Sequence, residues 1–350
     1  MKQLPKRPLH GGALNQQIKV LNNNAYDDIE QWLDLSTGIN PNGWPVPIIP
    51  AQVYNQLPQD EDGLLEAAQH YYRSNDILPV AGSQEAIQLL PQIFHQHQLL
   101  AKKPLIGIIS PCYAEHEHHW QRHQFNIIYL NSEKVIDVLD ELDVLLIINP
   151  NNPTGEVIPL ATIKQWLSKM AGRQAYIIID EAFMDSSAEN SALNLAQQEQ
   201  IIILRSIGKF FGLAGARCGF VIAREEILSL IKYYQPPWSV SGPTRWLVKQ
   251  ALRDNIWIAE NIKWLKISAA RLEALLTKAL LILYPDFSIT GTDLFKTVMF
   301  DNAFFVYQQL AKQGILVRLL DNKQGLRFAL PGNEQQWQQL TQALNKIAPG

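Results

Sequence analysis

Six short apolar runs limit the fold of this chain more than any other feature of its sequence. They are Leu105 to Ile109, Ile127 to Leu130, Val144 to Ile148, Tyr176 to Ile179, Ile201 to Leu204 and Phe220 to Ile222. Several are apolar at every position, which suits parallel strands covered on both faces rather than strands with one wet face. Helical or loop segments separate them, and Leu160 to Met170 carries the apolar spacing of an amphipathic helix. The expectation is an α/β chain with a large domain on a mostly parallel sheet and a smaller α+β domain. Ligands of such sheets bind outside the carboxyl ends of the strands. The chemically useful residues fall there: Cys112 and Tyr113 after the first run, Asn149 to Gly155 after the third, Asp180 after the fourth.

The fifth run leads into RSIGKFFGLAGARCGF, Arg205 to Phe220, which brings a lone Lys209 together with Ser206 and Arg217. A lysine amine among apolar neighbours can be desolvated and become a nucleophile toward an aldehyde. Upstream, AGSQEAIQLLPQIF reads as a turn opening a helix, with Ser83 as the N-cap and Ala86, Leu89, Leu90 and Phe94 on the apolar face. A glycine and a serine at a helix N-terminus make an anion site, because free N–H groups and the helix dipole point the same way.

Composition narrows the partners. In 350 residues, 47% are hydrophobic, 18% are charged and the net charge is −3, so a buried core is affordable and nucleic acid finds no basic footprint. Two cysteines, Cys112 and Cys218, make no disulfide framework, which points to a reducing cytoplasm. MKQLPKRPLHGG has no apolar segment after its basic residues and does not read as a signal peptide, and no apolar run is long enough to cross a bilayer. The cluster EHEHHW, Glu115 to Trp120, reads as a polar helix start, and no metal is expected.

The domain reading has three parts. Residues 1–45 form an arm, 46–258 the large domain and 259–350 the small one. Beyond Pro236-Pro237 the pattern predicts a long amphipathic helix from Trp246 to Leu283, an extended piece from Leu294 to Phe300 and a helix from Ala303 to Gln313. Two strands joined by a turn follow in ILVRLLDNKQGLRFALP, carrying Arg318 and Arg327, and a helix from Trp337 to Ile347 closes the chain.

In chain order the sequence carries AGSQ, PCY, NPNNPTG, IIIDEAF, SIGK, LAGARCGF and LRFALP. Together these resemble the pyridoxal-phosphate enzymes of the aspartate-aminotransferase fold, the class I/II group of the type I fold. The resemblance implies that Lys209 holds the cofactor aldehyde and moves protons at the substrate α-carbon. It implies Asp180 at the pyridine nitrogen, Asn152 at the ring 3-oxygen and Tyr113 on the ring face. Gly82, Ser83, Gln84, Ser206 and Arg217 would hold the cofactor phosphate, and Arg327 the substrate α-carboxylate.

HGG near the start, LDLSTGINP, LPQDEDGLLEAA and LPVAGSQEAIQLLP look like the threonine-phosphate decarboxylase group of cobalamin biosynthesis, itself related to histidinol-phosphate aminotransferases. That likeness implies decarboxylation of O-phospho-L-threonine to (R)-1-aminopropan-2-yl phosphate, and so a phosphorylated amino-acid substrate needing a second anion site. Arg318 and His10 are the candidates for it. Gly38, Ile39 and Asn40 match the group's substrate-contacting loop, and a homodimer is the family expectation. Two departures weigh against an aminotransferase. Phe183 stands where relatives carry a tyrosine, and Leu57-Pro58-Gln59 stands where they carry a Tyr-Pro-Asp stretch. The alternatives are an aminotransferase of a phosphorylated amine and a non-catalytic protein of the same fold. Lys209 and Asp180 speak against the latter.

Overall fold

A computed structural model describes residues 8, 11–12, 14–21, 29–100, 103–196 and 199–347. In chain order its strands are β1 (Leu33–Leu35), β2 (Ile77–Val80), β3 (Leu105–Ile109), β4 (Asn126–Leu130), β5 (Val144–Ile148) and β6 (Tyr176–Asp180). They continue as β7 (Ile201–Ser206), β8 (Gly219–Ala223), β9 (Ser288–Gly291), β10 (Phe295–Met299), β11 (Ile315–Leu319) and β12 (Gly325–Ala329). The chain divides into two compact units. One is built mainly from Gly43–Asn152 and Glu156–Ile258, the other from the described parts of Leu9–Asn42, Pro153–Gly155 and Ala259–Gly350.

The first unit holds a seven-stranded sheet in the order β2-β8-β7-β6-β5-β3-β4. Strands β3 to β7 pair parallel to one another. All five residues of β5 and of β6 are buried, as strands covered on both faces require. On one face, Ile108, Leu146, Ile178 and Leu204 pack with Ile87, Leu90 and Phe94 of the helix Ser83–Gln96, with Trp120, and with Ile227 and Ile231 of the helix Glu225–Tyr234. Each such side chain contributes about 1.5–3 kcal/mol of burial. Register sets the site: Ile148 lies opposite Asp180, and Asp180 opposite Leu204, so three strands finish almost level at one sheet edge.

The run at Phe220 to Ile222 departs from expectation. It forms β8, which is antiparallel to β7, with Ser206 opposite Gly219. The reason is the connection: residues 207–218 contain no α-helix, only the short 3-10 turn Ala214–Ala216, whereas a return to parallel usually runs through a crossover helix. That loop carries Lys209.

The second unit holds a five-stranded sheet in the order β1-β11-β12-β10-β9. Strand β1 pairs parallel with β11, and the other neighbours are antiparallel. The predicted helix from Trp246 to Leu283 is two helices, Gly242–Arg253 and Asn255–Leu280. Asp254 separates them: its Oδ1 accepts from the Trp257 N–H at 3.0 Å and its Oδ2 from the Trp44 indole at 3.0 Å. The closing helix starts earlier than expected, at Glu334, where Asn333 caps it by accepting from the Gln336 N–H. No helix among the described residues is long and apolar enough to cross a membrane.

Candidate active site

Asp180 ends β6 with its side chain turned to the face that Glu181 avoids. It is only 4% exposed, and each of its oxygens has a donor. The Ala182 N–H gives to Oδ1 at 3.0 Å, and Nε2 of His116 lies 2.9 Å from Oδ2. A carboxylate acceptor puts the imidazole proton on Nε2. His116 is itself 1% exposed, so both members of this pair are buried. The polar-start reading of EHEHHW therefore needs correcting: Glu115, His116, His119 and Trp120 are all buried. Their spacing was the available signal, since these positions share one helical face. Among the described residues, no group of three or more His, Cys, Asp or Glu is arranged to hold a metal ion.

Lys209 lies just past β7, and its Nζ stands 5.3 Å from the centre of the Phe183 ring. An aromatic face stabilises an ammonium modestly and offers it no acceptor. The turn is latched from outside by the Trp44 N–H, which donates to the Phe211 carbonyl at 2.9 Å. Phe211 in turn stacks on Trp257, with centroids 5.6 Å apart. The Ser206 hydroxyl accepts from the Gly208 N–H at 3.3 Å, tightening the same turn.

Beside it, the helix Ser83–Gln96 begins. Gly82, not Ser83, is the N-cap, with φ +76 and no side-chain cap bond. Only glycine takes that conformation easily, and a Cβ there would come within 2.8 Å of the Arg217 guanidinium. Gly219 repeats the theme, because its Cβ would meet the Ser83 nitrogen at 2.6 Å. Strand β8 can therefore approach the helix start, and Arg217, in the left-handed region at φ 53, holds its guanidinium beside Gly82, next to the free N–H groups of the first turn. The Gln84 side chain turns elsewhere: its Nε2 donates to Glu115 at 2.7 Å and its Oε1 accepts from the Tyr113 hydroxyl at 3.4 Å. Gln84 thus has its backbone, not its carboxamide, to offer an anion.

The loop after β5 is braced by its asparagines. Asn149 is fully buried and exchanges two side-chain bonds with Ile158. Asn151 donates to the Pro111 carbonyl at 3.1 Å, tying this loop to the one that carries Tyr113. Asn152 follows, half-buried.

Behind the sheet edge, on the other side from His116, sits a buried charge cluster that the sequence reading passed over. Arg205 Nη1 bonds Glu181 at 2.6 Å and Nη2 bonds Asp185 at 2.9 Å. Ser191 and the Ala192 N–H also give to Glu181, and Tyr71 gives to Asp185. Burial opposes the Arg205 charge, but Asp185 and Glu181 outweigh it and push its pKa up. Since Glu181 follows Asp180 and Arg205 precedes Ser206, this cluster anchors both strand ends.

In the second unit, Arg327 on β12 is buried and its Nη2 donates to the Ser36 carbonyl at 2.7 Å. Arg318 on β11 lies directly opposite in the ladder. Burial, and then the Arg318 charge, pull the Arg327 pKa down to about 10. Arg318 itself reaches Asp321 at 3.4 Å. Gly38 is buried in the loop after β1. Asn40 is more committed than the sequence implied, since its carboxamide bonds Asn261 at 3.0 Å and both backbone groups of Asn42. It braces the loop, because a buried carboxamide must satisfy its own donors first. His10 lies outside the described residues.

Comparison with known proteins completes the site's description. The family model described as aminotransferase class I and II matches residues 54–346. The threonine-phosphate decarboxylase of Pseudomonas aeruginosa is 38% identical over 336 residues, covering 96% of each chain. Among solved structures, the histidinol-phosphate aminotransferase from Clostridium acetobutylicum superposes with a TM-score of 0.74 at 25% identity, over 89% of this chain and 97% of its own. The histidinol-phosphate aminotransferase from Sinorhizobium meliloti, solved in complex with pyridoxal 5'-phosphate, superposes with a TM-score of 0.75 at 16% identity over 89% of each chain. This chain belongs to the aminotransferase class I and II family and is an enzyme of its pyridoxal-phosphate-dependent α/β fold.

Proposed function

We propose that this enzyme is a carboxy-lyase that decarboxylates O-phospho-L-threonine to (R)-1-aminopropan-2-yl phosphate and carbon dioxide, a step of cobalamin biosynthesis. The observation that carries the reading is the likeness to the Pseudomonas aeruginosa decarboxylase, which runs through 96% of both chains. The residues present fit the cofactor. The cradle in which a Cβ on Gly82 would strike Arg217 suits a phosphate, with the Ser83 and Gln84 N–H groups and the Ser206 hydroxyl as further donors. The His116-supported carboxylate of Asp180 suits a protonated ring nitrogen, Asn152 the ring 3-oxygen and Tyr113 the ring face. Lys209 suits the aldehyde. When bound, pyridoxal phosphate supplies an acceptor for the electrons released at the substrate α-carbon.

The chain's own residues do the rest. Arg327 takes the substrate carboxylate as a two-pronged partner, and the second cation, Arg318, takes the phosphate. The bond between the α-carbon and its carboxylate breaks, carbon dioxide leaves without the bonding electrons, and Lys209 Nζ returns a proton to the α-carbon. Phe183 offers no hydroxyl to the ring 3-oxygen and leaves that contact to Asn152.

The enzyme works as a cytoplasmic homodimer in this reading. Ile48 at 95% exposure, Tyr54, Leu57 and Trp238 leave large apolar surface on the first unit, as a partner subunit would require. The test is turnover of O-phospho-L-threonine with no oxo acid present. Release of one carbon dioxide per amine over many cycles supports the decarboxylase. Absence of release, with glutamate formed from an oxo acid and histidinol phosphate consumed, would replace it with the aminotransferase reading.

A further inference from the structure

The helix Ala114–Arg122 sends two lines of hydrogen bonds toward the cofactor site, and only one ends on Asp180. The other starts at His119, whose Nε2 lies 3.2 Å from Oε2 of Glu115. The same oxygen accepts from Gln84 Nε2 at 2.7 Å, and Gln84 Oε1 accepts from the Tyr113 hydroxyl at 3.4 Å. The directions in this chain are consistent: Gln84 presents its NH2 to Glu115 and its oxygen to Tyr113, the orientation that a carboxylate, which only accepts, selects. The phenol is then obliged to donate, and its ring is held at the other end by the edge of His116, with centroids 6.3 Å apart and planes at 82°. Glu115 is buried and sits at the branch point. Burial lowers the His119 pKa although Glu115 opposes it, so a neutral ring donates there near neutral pH.

We propose that Glu115 is a positioning residue for the cofactor site: it sets the Gln84 amide, and through that amide the first helical turn and the Tyr113 ring. The inference rests on the reading that this turn and Tyr113 hold pyridoxal phosphate. The Glu115 carboxylate removes one of the two orientations open to Gln84 and so takes the freedom out of a phosphate cradle and a stacking ring together. Pre-organisation of this kind raises affinity by removing an ordering cost at the moment of binding.

The experiment is a titration of the full-length apoprotein with pyridoxal 5'-phosphate, followed by absorption, in Glu115→Gln, Gln84→Ala, Tyr113→Ala and the Glu115→Gln/Gln84→Ala pair. Glu115→Gln is expected to weaken binding roughly fivefold, since the new carboxamide permits both amide orientations, and Gln84→Ala about tenfold. The pair should be no weaker than Gln84→Ala alone, because Glu115 acts through Gln84. Additive losses, or unchanged binding in a folded Glu115→Gln, would overturn the inference while leaving Tyr113 in the site. If Tyr113→Ala binds cofactor like the parent chain, the site reading and the inference fall together. Should Glu115→Gln not fold, Glu115→Asp, whose carboxylate is drawn back from Gln84, takes its place alone and paired with Gln84→Ala: weaker binding that the pair does not deepen upholds the proposal, and unchanged or additive binding overturns it.

Discussion

Two buried arginines, Arg205 in the first unit and Arg327 in the second, show what burial alone does not reveal. Both are less than a tenth exposed. Arg205 sits against Glu181 and Asp185, and their charges push its pKa up despite desolvation. Arg327 faces another arginine across the ladder, and burial with Arg318 draws it down to about 10. The first charge is answered by carboxylates inside the fold and does mechanical duty between two strand ends. The second lies in a field that an incoming anion would relieve. A buried cation is a site candidate when its own surroundings disfavour its charge.

The largest effect that can break this contrast is on stability. Arg205→Gln leaves Glu181 and Asp185 buried without their cation, and a loss of about 3–5 kcal/mol is expected in denaturant unfolding. A change under about 1 kcal/mol would mean that the cluster is not the anchor described. Arg327→Gln should do the reverse. With O-phospho-L-threonine, kcat/KM falls on the order of 100-fold or more, while the unfolding midpoint barely moves. Equal stability losses in the two variants would erase the distinction.

His116 lies between these extremes, because from within the core it supports Asp180, the carboxylate proposed to face the cofactor ring. His116→Phe keeps the ring volume and removes the donor to Asp180, and about a tenfold fall in kcat with a changed absorption band of bound cofactor is expected. His116→Asn, which keeps a donor, should recover part of the loss. Steady-state rates and spectra of the two variants compare them directly, and identical behaviour would remove the Asp180 contact from the account.

A pH profile sharpens the same comparison. Arg327 attracts an anion only while protonated, so kcat/KM should decline as pH rises through about 10. Arg318→Gln removes one cause of the depression, and the alkaline limb should move to higher pH. A limb that stays in place would assign it to another group. The smallest effect is on the acid side. His119 has its pKa lowered from 6.5 by burial, so the unfolded chain takes the proton first as pH falls. Stability is full above about 6.5, declines on going below it, and levels off beneath the folded pKa. Thermal melts of His119→Gln should show a shallower decline, and an unchanged slope would contradict this.

How much of this was legible in the sequence follows from what apolar periodicity encodes. The runs at Val144 to Ile148 and Tyr176 to Ile179 are buried on both faces, so composition alone marks them as strands. Periodicity carries no direction, so the run at Phe220 to Ile222 reads like its parallel neighbours although β8 runs antiparallel to β7. Strand β9 is an edge strand with exposed alternate residues, so Ser288–Gly291 left no apolar signature. The places of Asp180 at the end of β6 and of Lys209 just past β7 follow from the apolar runs before them, and the glycine at 82 is readable because its positive φ suits no other residue. His116 and Glu115 are harder to read: their spacing with Trp120 puts them on one helical face, but a polar run looks solvated until that face is known to point inward. Arg205 escaped for a related reason: its partners Glu181 and Asp185 lie in the segment after β6, and only the pairing of β6 with β7 brings them together.

The central claim, that the turn after β7 carries the cofactor, can be tested on the protein as purified. Borohydride reduction fixes pyridoxal phosphate to whichever amine holds it, and peptide mass spectrometry then locates the label. The account predicts one labelled peptide containing Lys209, and none in Lys209→Ala. Label on another lysine, or a reduced protein with no label in a cofactor-saturated sample, would contradict it.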